Sequence, residues 1–239
     1  MKRTTKNFAT LTGFLLILFA VSCNERSENS TSNANQEWLD WKQEKITPEE
    51  LGKWQLLGKG SLGLGMNQQT VIQEVEDSNG VMLLSPTYYS GDVLVRYQAL
   101  ALTPASVFVM ALAAADTVPG QLTIPADYDG GMALWTANTA NYFFAFKNAP
   151  HGATPFIAKN PGFHISASAD TQDGMVAGVY YDIEVGKEGQ KLWLSIDGKT
   201  VVSWDDDSPI GGGHVAFRLR GTAGLLAAGA IRNLTIYSK

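Results

Sequence analysis

Cysteine and histidine are scarce in this sequence. Cys23 is the one cysteine among 239 residues, which excludes a disulfide framework within the chain and a Cys-rich zinc site. The three histidines, His151, His164 and His214, do not have metal-ligand spacing, and no GxSxG or HExxH motif occurs. We therefore expect neither a metalloenzyme nor a cofactor. A structural calcium ion is the one exception left open.

Positive charge is also in short supply. Lys and Arg number 18 against 23 Asp and Glu, a formal net charge of −5, which argues against a nucleic acid partner. Charged residues make up only 17% of the chain and hydrophobic residues 45%. This composition predicts one domain with a substantial core rather than a disordered chain.

The N-terminus has the pattern of an export signal. The basic start MKRTTKNF is followed by the apolar segment ATLTGFLLILFAVS, which is short for a membrane span. The next residue is Cys23, and the sequence FAVSC resembles a bacterial lipobox, in which the Cys thiol is diacylated. We predict a lipoprotein signal peptide at 1–22 and lipidation of Cys23. The alternative is an ordinary signal peptide with an incidental Cys.

Removal of 1–22 would leave 15 basic and 23 acidic residues, a net charge of −8. Residues 23–36 are rich in Ser, Asn and Glu without apolar periodicity, which predicts a flexible tether before a single domain at 37–239. Multiple acyl chains give stable anchoring, so the expected membrane partner is reached through the lipid at Cys23. Asn24 resembles an outer-membrane sorting signal. The expected location is the outer membrane or cell surface of a bacterium.

The domain itself has the pattern of an all-β protein. Thr47 followed by Pro48 predicts the start of one short helix. Beyond residue 55 short apolar runs of period two alternate with Gly, Pro, Asn and Asp clusters, and Asp197-Gly198 predicts a two-residue hairpin. This pattern predicts an antiparallel β-sandwich of jelly-roll type. The predicted strands are 81–84, 93–102, 106–113, 142–146, 163–167, 180–185, 191–196, 214–219 and 231–237.

Alternation along three of these strands places polar side chains on one face of each strand. His164 lies opposite Phe163 and Ile165, the pair Arg218 and Arg220 shares a face, and Arg96 shares a face with Gln98. We expect a single polar sheet face to gather these His, Arg and Gln side chains.

The C-terminal half resembles a known family. The segments that carry the resemblance are KNPGFHISA (159–167), YYDIEV (180–185), LSIDGK (194–199), WDD (204–206) and GHVAFR (213–218). They are similar to the YesU-like family, whose members have a concanavalin-A-like jelly roll, are encoded in bacterial polysaccharide-utilisation loci and carry a hydrolase label. The closing segment IRNLTIY (231–237) looks like that of related 3-keto-disaccharide hydrolase domains. The resemblance implies a carbohydrate ligand.

Three residues are candidates for catalysis. His164, in the family-like GFH motif, suits a general base or acid, although a His bonded to neighbouring polar groups is the alternative. Arg218, which matches the family pattern, and Arg220 suit bidentate binding of a uronic acid carboxylate, or else are solvated arginines. Asp206, in the Asp-Asp pair that recurs in the family, suits acid/base work, and a simple turn is the alternative.

Four further residues are candidates for sugar binding. Asn141 and Tyr142 offer an amide and a ring, and Trp135 and Trp193 offer stacking surfaces. Arg96 and Arg220 complete the predicted binding set, whereas the nearby Phe side chains are more simply read as core. Two functions remain open: a glycoside hydrolase or lyase that uses His164 with Arg218, and a non-catalytic glycan-binding lipoprotein.

Overall fold

The computed structural model describes residues 40–116, 121–147 and 154–239, all within the compact unit Asp40–Lys239. The predicted leader, Cys23 and the whole of the predicted tether 23–36 lie outside the described residues. In the described ranges, no helix is long and apolar enough to cross a membrane.

Two antiparallel sheets form a β-sandwich, which confirms the predicted fold class. Sheet A has the order β13-β12-β11-β6-β15-β4-β3, and β1 pairs with the C-terminal part of β15, beyond the part that pairs with β4. Sheet B has the order β10-β9-β8-β7-β14-β5-β2. The strands are β1 (Lys42–Ile46), β2 (Gln55–Gly58), β3 (Gly60–Gly65), β4 (Gln69–Glu74), β5 (Val81–Tyr89), β6 (Val93–Ala101), β7 (Val107–Ala115), β8 (Ala140–Phe146), β9 (Phe156–Asn160), β10 (His164–Ser168), β11 (Tyr180–Glu188), β12 (Lys191–Ile196), β13 (Lys199–Asp205), β14 (Gly213–Arg220) and β15 (Ala228–Ser238).

Local sequence signals fix the helix and one hairpin as predicted. The helix α1 (Pro48–Leu51) begins with a capping box, in which Thr47 and Glu50 each bond to the other's backbone N–H. Asp197 and Gly198 have φ angles of 50° and 75°, so both central residues of the β12–β13 turn are left-handed. Turns of this kind match the twist of paired strands.

The main core lies between the two sheets. Inward-facing side chains of both sheets, among them Leu83, Val95, Phe144, Leu194 and Phe217, form one buried cluster. Because strand residues alternate between faces, their neighbours point out of the sandwich.

The outward faces of the two sheets differ in chemistry. All nine residues of β7 are buried, and Phe143 and Ala145 of β8 join Val107 and Val109 in a cluster on the outer face of sheet B. The segment 121–139 covers a second part of this face with apolar side chains, Leu122, Ile124, Tyr128, Leu134 and Trp135. The outer face of sheet A instead has polar contacts, such as those of Arg96 and Trp193 with Glu184.

The expectation of one polar sheet face is wrong. Arg96 and Gln98 belong to β6 in sheet A, whereas His164 and Arg218 belong to β10 and β14 in sheet B. Alternation within each strand was predicted correctly for these residues, but it does not say which strands share a sheet. That assignment depends on long-range pairing, which a single strand's pattern does not contain.

Candidate arginine groove on the outer face of sheet B

An open groove of 200 Å³ lies on the outer face of sheet B. Most of its wall is apolar, and three phenyl rings contribute to it. Arg218 and Arg220 of β14, with Gly221 and Thr222 after the strand, form its polar end. The predicted shared face of the two arginines is therefore present. The apolar wall consists of Val107, Val109, Met132, Phe143, Ala145, Phe156 and Phe163.

Arg218 is a buried arginine with a free hydrogen-bond donor. Its side chain is only 3% exposed, and one terminal nitrogen donates to the carbonyl oxygens of Asn79 (2.8 Å) and Gly130 (3.1 Å). Its Nε has no hydrogen-bond partner among the described residues. A buried donor left without an acceptor costs about 1–3 kcal/mol, so this nitrogen is poised for an acceptor that the described residues do not supply.

Arg218 also has no direct ion-pair partner among the described residues. Within the part of the chain that the structure describes, no carboxylate oxygen lies within 4.0 Å of Arg218 or Arg220. Burial is the main reason that the pKa of Arg218 falls to about 10; the positive charge of Arg220 also lowers this pKa, whereas Tyr128 and Glu74 raise it. The guanidinium still carries its proton at neutral pH. The groove therefore combines an apolar wall with two positive charges.

A pair of closely packed glycines holds the carbonyl that Arg218 bonds. Gly80 and Gly130 have φ angles of 119° and 92°, and a Cβ on Gly130 would lie 1.8 Å from the Gly80 carbonyl oxygen. Only glycine permits this approach. Asp129 further fixes the backbone around Gly130, because its carboxylate accepts hydrogen bonds from the Asn79 side chain (2.7 Å) and the Gly131 N–H (2.8 Å).

Phe163 is the exposed aromatic of the groove. It follows Pro161-Gly162 in the turn between β9 and β10, has a φ of 50°, and is 38% exposed. Its ring meets Phe143 and Phe156 edge-on, at centroid distances of 6.3 and 5.9 Å. The Asn160 side chain accepts the Phe163 N–H (3.1 Å) and so fixes the turn. An aromatic surface of this kind can cover the apolar face of a sugar ring.

Trp135, Asn141 and Tyr142, three predicted sugar ligands, are fully buried. Trp135 donates its Nε1–H to the hydroxyl of Tyr128 (2.7 Å), a residue of the same segment 121–139. Asn141 bonds the carbonyl oxygens of Trp135 (2.8 Å) and Thr139 (2.9 Å) and accepts from Asn160 (2.9 Å). These contacts hold the segment to the sheet. None of the three side chains presents a surface to a ligand in this structure.

Asp206, a predicted catalytic residue, is held in an interior network. It is 4% exposed, accepts from the Tyr142 hydroxyl (2.6 Å) and pairs with Lys159 (2.7 Å). Burial raises the pKa of Asp206, but the hydrogen bonds from Lys159, Tyr142 and the Ser208 N–H outweigh it, so the pKa lies below its usual value. An ionised carboxylate whose oxygens are occupied in this way fixes the β13–β14 connection rather than supplying a proton.

His164 does not meet Arg218. It is exposed on the edge strand β10 and pairs in register with Lys159, whose side chain points toward Asp206. Arg218 lies on the opposite face of the same sheet and four strands away, roughly 19 Å along it at the usual strand spacing. The structure thus brings neither His164 nor Asp206 to the arginine groove.

Arg96 and Trp193 lie on the outer face of sheet A. Arg96 and Trp193 both bond Glu184, at 2.7 and 2.6 Å, and Trp193 is 7% exposed because it lies against Gly186. Trp193 faces away from Leu192 and Leu194, as expected. These two predicted ligands are therefore separate from Arg218 and Arg220.

Among the described residues, no group of three or more His, Cys, Asp or Glu side chains is placed to hold a metal ion. The residues that sequence reasoning missed are the groove's phenyl rings, Phe143, Phe156 and Phe163. Phe143 was interpreted as core. The signal that could have revealed it is β7, which is apolar on both faces and so leaves an apolar outer face for β8 to extend.

Comparison with known proteins bears on the fold. No protein-family model matches the chain, and no curated protein matches its sequence. The solved structures include a protein of unknown function with a galectin-like fold from Bacillus subtilis, with a TM-score of 0.71 and 15% identity over 83% of this chain and 98% of that one. The carbohydrate binding module CBM66 from Bacillus subtilis has a TM-score of 0.54 and 13% identity, over 77% and 95% of the two chains.

A Bacillus licheniformis β-glucanase is also similar, with a TM-score of 0.53 and 11% identity over 83% of this chain and 92% of that one. At these identities the similarity concerns the fold. The chain has a galectin-like or concanavalin-A-like jelly roll.

Proposed function

We propose that the protein is a bacterial surface lipoprotein that binds an acidic, uronic-acid-containing glycan in the arginine groove and does not cleave it. One observation carries the proposal: the buried Arg218, with an unpartnered Nε and no carboxylate within 4.0 Å among the described residues, lies at the end of an aromatic-walled groove. A sugar carboxylate would satisfy the charge, and the sugar's apolar face would cover the phenyl rings.

Similar folds support a glycan as the ligand class. Two of the similar structures are named as a carbohydrate binding module and a β-glucanase. The resemblance to the YesU-like family points the same way. Acylation of Cys23 would place this domain on the membrane surface, at the end of the tether 23–36, where it could hold polysaccharide close to the cell.

The arrangement of the acid and base residues favours binding over cleavage. A glycosidase needs an acid and a base or nucleophile on opposite sides of one bond. His164 lies on the other face of sheet B from the groove, and Asp206 is engaged by Lys159 and Tyr142. Within the described residues, no carboxylate contributes to the groove's wall.

The test is titration calorimetry of acidic and neutral oligosaccharides, with mass spectrometry of the same mixtures. The protein is the chain without residues 1–22 and with Cys23→Ala. We expect acidic oligosaccharides to bind and to be recovered intact. Arg220→Gln, which alters an exposed side chain, should weaken their binding about tenfold, the value of one charge-assisted bond.

The matched control is Lys45→Gln, which removes the same charge from an exposed site on β1 of sheet A. It should leave the affinity unchanged. New products in the mixture would establish an enzyme instead. Equal effects of the two substitutions would show that the ligand responds only to overall charge and would contradict a site at the groove.

A further inference from the structure

A second cavity continues the arginine groove beyond Arg220. It has a volume of 560 Å³ and shares Arg220, Gly221 and Thr222 with the groove as common wall. Its far side consists of the segment after β4, with Glu76 and Asp77, and of the loop that carries Leu225. The two cavities therefore adjoin each other at the end of β14.

The wall of this second cavity is built into the fold. The buried Glu74 of β4 accepts the N–H groups of Gly221 (2.7 Å) and Ala227 (2.8 Å) with one carboxylate oxygen, which fixes both ends of the loop. The loop is also tightly closed, because a Cβ on Gly221 would lie 1.7 Å from the Leu225 carbonyl oxygen. The cavity is thus preformed, as ligand sites usually are.

Charge changes sign along the two cavities. The groove contains the guanidinium groups of Arg218 and Arg220, whereas the second cavity contains the carboxylates of Glu74, Glu76 and Asp77 beside Arg220. An acidic sugar is attracted to the first and repelled by the second. An uncharged sugar is not repelled there, because its hydroxyl groups can donate hydrogen bonds to carboxylate oxygens.

We infer that the protein has two adjoining subsites that take an oligosaccharide with an acidic residue over Arg218 and an uncharged residue in the second cavity. The inference rests on the proposed function, since it extends the ligand from the same groove. The unpartnered Nε of Arg218 fixes the acidic end. Glu76 and Asp77 select against a second acidic residue at the other end.

The experiment compares three ligands by titration calorimetry: an acidic monosaccharide, a disaccharide of an acidic and an uncharged sugar, and a disaccharide of two acidic sugars. The protein is again the chain from residue 23 with Cys23→Ala. We expect the mixed disaccharide to bind about tenfold more tightly than the monosaccharide, since the second sugar adds charge-assisted hydrogen bonds. The diacidic ligand should gain nothing over the monosaccharide.

The double variant Glu76→Gln with Asp77→Asn tests the charge at the second subsite. It should raise the affinity for the diacidic ligand at least threefold more than it raises the affinity for the acidic monosaccharide. The exposed Glu188 at the end of β11 provides the control, Glu188→Gln, in sheet A. Thermal melting of each variant checks that the fold is intact.

The outcomes separate this inference from the proposed function. If the monosaccharide and both disaccharides bind equally, the second subsite is refuted while glycan binding stands. The same follows if the double variant and Glu188→Gln have equal effects on the diacidic ligand. If none of the ligands binds, the proposed function fails, and the inference fails with it.

Discussion

Arg218 is the residue on which the account depends. Among the described residues, its guanidinium has two carbonyl acceptors, a free Nε and no carboxylate partner. Buried ion pairs gain little net stability, and a buried charge without a partner gains less. The most economical physical reason to keep such a charge beside an open groove is a ligand that neutralises it.

We therefore predict that Arg218→Met separates binding from stability. Acidic-ligand affinity should fall at least a hundredfold, because both the charge and the free donor are removed. The unfolding free energy should change by less than about 2 kcal/mol, since relief of the buried charge offsets the loss of two hydrogen bonds. Calorimetry and urea unfolding measure the two quantities. A large loss of stability with retained affinity would assign Arg218 a structural role.

Asp206 has the opposite character, because every contact it makes is internal. Its pKa is depressed in the folded protein, so its contribution to stability is present above the unfolded pKa of about 4 and disappears as pH falls through the folded value. Asp206→Asn should lower the unfolding free energy by about 2 kcal/mol at pH 7. The difference from the unmodified chain should shrink below pH 4.

Urea unfolding of the two proteins measures the effect between about pH 2 and pH 7, a range that includes the unfolded pKa of about 4. The exposed neighbour provides the control, Asp205→Asn. Loss of ligand binding in Asp206→Asn without loss of stability would contradict the structural role.

At the level of elements, the segment 121–139 decides which part of sheet B is covered. It buries Trp135 against β5, β7 and β14, and through Gly130 it supplies a carbonyl to Arg218. Met132 of this segment forms part of the groove's wall. The segment therefore both stabilises the sheet and shapes the site.

Gly130→Ala should disturb both roles. A Cβ at φ 92° would lie 1.8 Å from the Gly80 carbonyl oxygen, and backbone must move to admit it. We expect a loss of more than about 2 kcal/mol in unfolding free energy, together with weaker acidic-ligand binding. Thermal melting and calorimetry provide the measurements. Gly63→Ala, at an open position in β3, is the control and should change both by little.

The strands that sequence could predict are those with clear alternation. The nine predicted strands are all present, and 191–196 matches β12 to the residue. The hairpin at Asp197-Gly198 also predicted β13, and the strands β1 to β4 and β9 were missed. The alternating Gly and Leu of β3 (GSLGLG) weaken its local strand signal, and β1 is a largely exposed strand that depends on pairing with β15.

The site was predictable only in part, for a physical reason. The shared face of Arg218 and Arg220 follows from a period of two within one strand. The burial of Trp135 and Asn141 follows from the segment 121–139 crossing the sheet, which is a tertiary contact. The local sequence indicates which side chains are suited to binding sugars. Which of them reach the surface depends on the tertiary fold.

For the whole molecule, the two outer faces have different chemistry. Sheet A bears side chains that satisfy one another, as in the Arg96–Glu184 pair, whereas sheet B bears an apolar groove with two arginines that have no direct ion pair among the described residues. On the proposed tether and lipid anchor, a domain with one such groove would be suited to capture of a polysaccharide at a membrane surface.

The proposed anchor gives a prediction at this scale. In a bacterial host that acylates lipoproteins, the full chain should incorporate labelled palmitate and appear in the membrane fraction. Cys23→Ala should abolish the label and release the protein from membranes, with ligand affinity unchanged because the domain at 37–239 is intact. Membrane association of Cys23→Ala equal to that of the unmodified chain would contradict the lipid anchor.

The central claim is that an acidic glycan occupies the arginine groove. The most direct measurement is a crystal structure of the chain from residue 23, with Cys23→Ala, bound to the mixed acidic and uncharged disaccharide. The account predicts the sugar carboxylate at Arg218 and Arg220, with a ring against Phe163. A ligand bound instead over Trp193 and Arg96 on sheet A, or at His164, would contradict it.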